Sequence, residues 1–505
     1  MIVCAELLFG PGSAAAGYEI EAYVAGGPLR VLHSNPRYFT DGSGKAIYLT
    51  GSHHWNSLQD RGIEPIPIFD YSAYLDQLQK YNHNLVRLWV WEQAAWAPWT
   101  DEKLVYDPLP YRRRGPGTAL DGGLKFDLTK FNEAYFDRLR SRVVAAGDRG
   151  IYVAVMLFQG FSIESKGMHK GNPWSGHPYH SANNVNGMNG DLDGDGEGTE
   201  VQTLQIPAIT ALQEAYVRKV IDTLNDLDNV LYEISNESHA DSQDWQYHMI
   251  TFIKSYEAGK SKQHPVGMTV EWPGGDNLEL INSPADWISL NNPPKEDESA
   301  GSVAKGAHAQ SYDYKSSPPV ADGKKVILSD TDHLWGVGGS PDWVWKSFLR
   351  GLNPIFMDPD PNQSKRREEG VSLPNWESTR IAMGYTLTFA TRMDLAAMMP
   401  HTEIASSGYC MAKEGEEYLV YLPADHYGPV WEKWASKILW FFFQKELVKK
   451  TVSVDLSAAS APLAVEWFNP GTAETILAGT TGGGAITSFT APFPGDAVLY
   501  VHAQK

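Results

Sequence analysis

Residues 46–393 alternate short apolar runs with amphipathic helical stripes about eight times over, which limits the chain to very few architectures. The runs predict strands at 46–50, 85–90, 151–157, 230–234, 265–270, 287–290, 324–329 and 353–357. Helices are predicted over 71–81, 131–146, 245–256, 341–349 and 381–393, and a further one carries Val217, Val220, Ile221 and Leu224 at helical spacing. Strands that are apolar on both faces suit a parallel sheet covered by helices on its outside. Strand–helix units in this number close into an α/β TIM (β/α)8 barrel. No self-similar repeat of solenoid or propeller length interrupts the pattern.

The texture changes near Pro400. Short alternating runs at 417–422, 451–455, 463–468 and 497–501 lie between Gly and Pro turns and predict an antiparallel β-sandwich. The expected organisation is an N-terminal arm over 1–35, a barrel over 36–399 and a sandwich over 400–505. A net charge of -19 disfavours nucleic acid and anionic membranes as partners. No apolar run approaches the roughly 20 residues of a membrane span. The N-terminus is apolar but has no basic segment and carries Glu6, so it does not read as a signal peptide. Cys4 and Cys410 are too few for a disulfide framework or a cysteine metal site, and leave one bridge between the chain's ends open.

Polar residues gather where the predicted strands end, at the barrel face where catalytic groups collect. They are His53 and His54, Arg87, Gln159, Asn236 and Glu237, Glu271, Asn291 and Asn292, Asp330 with Asp332 and His333, and Asp358. Arg87 sits inside an apolar run and needs a carboxylate partner or a site to serve. Strands 4 and 7 face each other across the mouth, so Glu237 and an acid after Ser329 can flank one bond. Two such carboxylates suffice for acid-assisted cleavage of a glycosidic bond, with retention at short separation and inversion at a larger one. The 17 Trp offer flat apolar faces for sugar rings, and Trp89, Trp91 and Trp335 are the candidates nearest the predicted rim. Of His53 and His54, one is expected to touch substrate. No Gly-x-Ser-x-Gly elbow and no zincin histidine pattern occurs.

The ordered set of Arg87, Asn236-Glu237 and the acid ending strand 7 resembles the clan A glycoside hydrolases. That resemblance implies Glu237 as acid/base, Asn236 as ligand of the sugar 2-hydroxyl and Arg87 as the residue orienting the nucleophile. The nucleophile falls on Asp330, where the clan has Glu; Asp332 is the alternative, since an Asp is shorter. Phrases such as Arg37-Tyr38-Phe39-Thr40-Asp41-Gly42 and Leu49-Thr50-Gly51-Ser52-His53 resemble apiosidase-like and cellulase-like bacterial hydrolases. Trp467-Phe468-Asn469-Pro470 and Gly495 to Tyr500 are similar to the collagen-binding-like β-domain that ends those proteins. The implied activity is hydrolysis, with retention, of an O-glycosidic bond in a plant or microbial polysaccharide or oligosaccharide by a secreted or periplasmic protein. The implied partner is carbohydrate, and no cofactor is required. A non-catalytic carbohydrate-binding protein on the same scaffold is the alternative.

Asp191-Leu192-Asp193-Gly194-Asp195-Gly196 resembles the start of a calcium-binding loop, with Asp191, Asp193 and Asp195 as hard oxygen ligands. Gln202 occupies the position of the usual closing Glu, and Glu200 is out of register with it. Any cation there is expected to be structural.

Overall fold

The computed structural model describes residues 26–292, 314–358, 376–424 and 450–504, together with the backbone of 365–366 and 371–372. Cys4 and most of the expected N-terminal arm lie outside the described residues. Eight parallel strands close a barrel in chain order. They are β1 (Gly51–His54), β2 (Leu85–Leu88), β3 (Tyr152–Gln159), β4 (Val230–Asn236), β5 (Val266–Thr269), β6 (Trp287–Ser289), β7 (Val326–Asp330) and β8 (Asn353–Met357). β8 returns to β1 through the parallel register Ile355↔Gly51 and Met357↔His53. The TIM barrel is thus the fold, and the C-terminal antiparallel sheets follow it.

The helices are α1 (Tyr71–Lys80), α2 (Glu133–Gly147), α3 (Pro207–Leu224), α4 (Gln243–Glu257), α5 (Asn277–Asn282), α6 (Asp332–Trp335), α7 (Pro341–Leu349) and α8 (Glu377–Arg392). α3 shows why these segments are helical. Pro207 starts it, and Ile209, Tyr216, Val217, Val220, Ile221 and Leu224 fall on one buried stripe. Inside the barrel, Leu85, Tyr152, Ala154, Leu231, Val326, Leu328 and Ile355 fill the lower layers with Trp287. Gly267 in β5 leaves the space that the Trp287 indole occupies: a Cβ there would lie 1.9 Å from the ring. Leu29, Phe39, Ile47 and Leu49 join the same cluster. The segment expected to form the first strand therefore runs into the barrel, and the strand itself begins at Gly51. The excursion after β2 is built of antiparallel strands at Ala95–Ala97, Thr100–Asp107, Tyr111–Thr118 and Leu124–Phe131.

The C-terminal region has a six-stranded antiparallel sheet and a two-stranded one. In chain order the strands are β9 (Met399–Pro400), β10 (Cys410–Lys413), β11 (Glu417–Leu422), β12 (Thr451–Asp455), β13 (Leu463–Phe468), β14 (Thr475–Thr481), β15 (Ile486–Thr490) and β16 (Ala497–Ala503). β12 and β15 pair with each other, and Val452, Val454 and Phe489 pack on Val420, Leu422, Val465, Leu499 and Val501 of the larger sheet. Alternate residues of that larger sheet face the other way. Leu419, Tyr421, Phe468, Val498 and Tyr500 merge with the barrel's hydrophobic core. Tyr421 stacks on Trp345 of α7 at 6.1 Å, and Arg392 of α8 forms two hydrogen bonds with Glu466 at 2.9 and 2.8 Å.

Candidate active site

Strand pleating decides which side chains reach the mouth. At the end of β1, His53 points inward and His54 outward. His53 stacks on Trp89 at 4.8 Å and its Nε2 donates to Asp330 Oδ1 at 3.0 Å. His54 stacks on Phe69 at 4.6 Å, and its Nδ1 accepts from Asn56 N. Burial, with the Arg61 charge behind it, pulls His54 down to about 3 and keeps it neutral. His54 therefore belongs to the helical layer.

Arg87 is the hub of the mouth. Its Nε and Nη2 donate to Glu233 Oε2 and Oε1 at 2.7 and 2.5 Å, Nη2 also to Asn236 Oδ1 at 2.6 Å, and Nη1 to Asp330 Oδ2 at 3.1 Å. Burial opposes its charge, but the Glu233, Asp330 and Asp332 carboxylates outweigh that and hold the guanidinium protonated. Glu233 and Asn236 both face Arg87 although they are three positions apart, so the inward phase of β4 slips by one. The paired strand β3 matches it, since Gln159 Nε2 donates to Met156 Sδ and its Oε1 accepts from Asn236 Nδ2 at 3.2 Å. Glu233 escapes sequence inspection because it lies inside an apolar run. Its one visible signal was the need of Arg87 for a partner.

The slip delivers Glu237 to the rim in the left-handed backbone region, at φ 45°. Its carboxylate is almost buried and has been pushed up to about 7, first by burial and also by Asp330, against the pull of Lys166 and Arg87. Gly160 lies under it: a Cβ on Gly160 would approach the Glu237 carbonyl oxygen to 2.0 Å. Gly160→Ala is expected to push Glu237 off its position and lower turnover by about 10²-fold. Steady-state kinetics on a protein with unchanged circular dichroism checks this.

Opposite stand Asp330, the last residue of β7, and Asp332, the first of α6. Both oxygens of Asp330 are engaged: Oδ1 accepts from His53 Nε2 and from Asp332 N, and Oδ2 accepts from Arg87. Burial alone would raise Asp330, but His53 and Arg87 hold it well below the usual carboxylate range. Asp332 is raised by burial and then by the Glu237 and Asp330 charges, with Arg87 Nη1 at 3.8 Å from its Oδ2. Glu237, Asp332 and His333 bring their side-chain donor atoms within 4.8 Å of one another. His333 Nε2 is 3.3 Å from Asn236 Oδ1, and its Nδ1 is 2.8 Å from Ser289 Oγ. An amide oxygen only accepts, so His333 carries its proton on Nε2 and accepts at Nδ1. Burial and the Arg87 charge pull it down to about 3, so it is neutral. With both nitrogens engaged and Arg87 adjacent, this trio is a poor cation site; Asp191, Asp193 and Glu200 form the other convergent group.

The remaining predicted residues divide. Trp89 and Trp91 are buried, Trp89 against His53 and Trp91 with its Nε1 donating to Trp55 O at 2.8 Å. Trp55, Trp99, Phe161 and Trp272 are half-exposed and form a continuous arc with centroids 5.2, 6.0 and 5.8 Å apart in turn. Trp335 is also half-exposed and packs edge-on against Trp343. Glu271 turns to α4, accepting from Gln246 Nε2 at 3.1 Å, and burial pushes it up to about 8. Asn291 is held to Asn277 of α5 through its backbone N–H at 3.0 Å. Asp358 pairs with Arg380, whose Nε donates to it at 2.7 Å. His54, Glu271 and Asp358 therefore lie outside the group around Arg87. Glu92 was not anticipated; its Oε1 accepts from Gln159 N at 2.8 Å and its Oε2 is 3.5 Å from His177 Nε2.

Comparison with known proteins bears on the fold. A family model described as a domain of unknown function (DUF6298) matches residues 69–278. No curated protein matches the chain. Among solved structures, one titled glycoside hydrolase aligns over 96% of this chain and 99% of its own, at 12% identity and TM-score 0.58. A glycoside hydrolase family 5 protein from Bacteroides vulgatus aligns over 95% of each chain, at 13% identity and TM-score 0.54. At such identities the likeness is one of fold.

Proposed function

We propose that this chain is a retaining glycoside hydrolase in which Glu237 is the acid/base. The observation that carries the reading is the approach of the Glu237 and Asp332 carboxylates within 4.8 Å, over a buried Arg87 that supplies the compensating charge. A gap of that size suits the short carboxylate separation, about 5 Å, of retaining enzymes. Geometry favours Asp332 over Asp330 as nucleophile, because each Asp330 oxygen already accepts a hydrogen bond and Asp330 is 1% exposed. Asp330 then positions Arg87 and His53.

Burial and mutual repulsion leave the Glu237–Asp332 pair about one proton at neutral pH. Catalysis uses the form with that proton on Glu237, in which Arg87 Nη1, 3.8 Å from Asp332 Oδ2, faces the ionised Asp332. Glu237 donates it to the glycosidic oxygen as an Asp332 oxygen attacks the anomeric carbon and the leaving group departs as the alcohol. A water then attacks the glycosyl–Asp332 ester, giving its proton to Glu237 and restoring both groups. Asn236, held by Arg87, His333 and Gln159, presents its amide to the sugar. The aromatic arc from Trp55 to Trp272 offers stacking faces for the rest of the substrate.

We read the substrate as a plant or microbial polysaccharide or its oligosaccharides, met outside the cytoplasm. No helix among the described residues is long and apolar enough to cross a membrane. The phrases shared with apiosidase-like and cellulase-like hydrolases support the finer kinship. For the β-sandwich, the contacts of Tyr421 and Phe468 with α7 and α8 support a packing role. A mechanism-based 2-deoxy-2-fluoroglycoside tests the assignment: peptide mapping is expected to find the label on Asp332, and a label on Asp330 would reverse the two roles.

A further inference from the structure

Far from the catalytic carboxylates in sequence, the loop following β3 gathers three acids around one point. Asp191, Asp193 and Glu200 bring ligand oxygens within 4.8 Å of one another. The short helical turn Thr199–Gln202 carries Glu200 back to the start of the loop, which the spacing of the motif alone hides. Asp195 stays outside the group and accepts from Glu197 N at 2.8 Å.

Glu200 is the informative member. Its side chain is buried, with the residue 7% exposed, and its Oε2 has no hydrogen-bond partner. Oε1 accepts from Leu192 N at 2.6 Å and from Asp193 N at 3.1 Å. Among the described residues, no Lys or Arg forms an ion pair with any of the three acids. A buried carboxylate that converges with two others, with no Lys or Arg among the described residues paired to them, is costly unless a metal supplies the charge.

We propose that Asp191, Asp193 and Glu200 bind a hard divalent cation, with calcium the best fit. The donors are all oxygen, and a Gly-containing loop with positive φ at Gly194 and Gly196 adapts to the long, irregular coordination of calcium better than to a rigid octahedron. The site staples a loop that clamps Trp174, since Gly190 and Gly198 both lie against that indole. The same loop reaches the catalytic rim. Glu197 accepts from Ser165 N at 3.1 Å, Gly198 N donates to Ile163 O at 2.8 Å, and Lys166 on that segment carries the charge that acts on Glu237. Bound cation thus orders the segment that places Lys166.

The test is calcium titration of the full, chelator-treated and desalted chain by calorimetry, with thermal melts alongside. One equivalent of Ca2+ is expected to bind and raise the melting temperature. Glu200→Gln and, separately, the more exposed Asp193→Asn are expected to weaken binding by at least about tenfold. Glu237→Gln, which removes a carboxylate from the other convergent group, is expected to bind Ca2+ as the wild type does. Absence of binding at millimolar Ca2+, equal affinity in Asp193→Asn, or loss of binding in Glu237→Gln would each overturn the site.

Discussion

Glu237→Gln is expected to lower kcat/KM on a responsive glycoside by about 10²–10⁴-fold while making the folded protein more stable at pH 8. The two effects share one cause. A buried carboxyl pushed up to about 7 donates a proton well, and its ionised form is disfavoured by the same burial. Because the folded-state value lies above the unfolded one, folding binds a proton in the interval between them. The favourable contribution is complete below the ordinary carboxyl value of 4.5 and is lost as pH rises through about 7. Gln carries no such penalty. The variant should therefore exceed wild type by about 2–3 kcal/mol at pH 8, with the gap closing below pH 4.5. Urea melts across that range measure it, and a constant gap would show that the Glu237 carboxyl is not perturbed. On the same grounds, wild-type kcat/KM falls on the alkaline side as pH rises through about 7, since only protonated Glu237 can act as acid.

Arg87→Ala should have the largest effect on stability, a loss of about 3–5 kcal/mol. The guanidinium neutralises Glu233, which is fully buried and bonded to it twice, and also serves Asp330 and Asn236. Removing it leaves carboxylates in the barrel without charge compensation. Arg87→Lys should recover only part of the loss, because an ammonium cannot reproduce the bidentate fork on Glu233. Denaturant unfolding checks this, and a loss below about 1 kcal/mol would mean that Glu233 and Asp330 are protonated or otherwise satisfied.

The barrel was legible because its parallel strands, covered on both faces, leave uninterrupted apolar runs such as Tyr152–Gln159 and Asn353–Met357. β1 misled for the same reason. Ile47 and Leu49 are as apolar as a strand but fill the barrel interior, so the strand starts at Gly51. The excursion after β2 was hidden by composition. Thr100–Asp107 and Tyr111–Thr118 carry charged residues on solvent-facing positions and lack the apolar weight of a core strand. At the site, sequence could name the residues at strand ends but not the direction of each side chain. Pleating sent His53 inward and His54 outward, and turned Glu271 and Asp358 toward Gln246 and Arg380. The one-residue slip in β4, which aligns Glu233 with Asn236, has no sequence signature beyond the charge of Arg87. Whether Asp330 or Asp332 meets Glu237 likewise depends on where β7 ends and α6 begins, a boundary fixed by tertiary structure.

The central claim is that Glu237 and an acid across the mouth cleave a glycosidic bond. A panel of aryl pyranosides and furanosides, offered to wild type and to Glu237→Ala with and without azide, tests it most directly. The expected result is hydrolysis of at least one member by wild type, its loss in Glu237→Ala, and rescue by azide with formation of a glycosyl azide. Hydrolysis undiminished in Glu237→Ala would contradict the assignment of the acid/base. No hydrolysis of any member by wild type, with sugar binding retained, would contradict the enzymatic reading in favour of a carbohydrate-binding barrel.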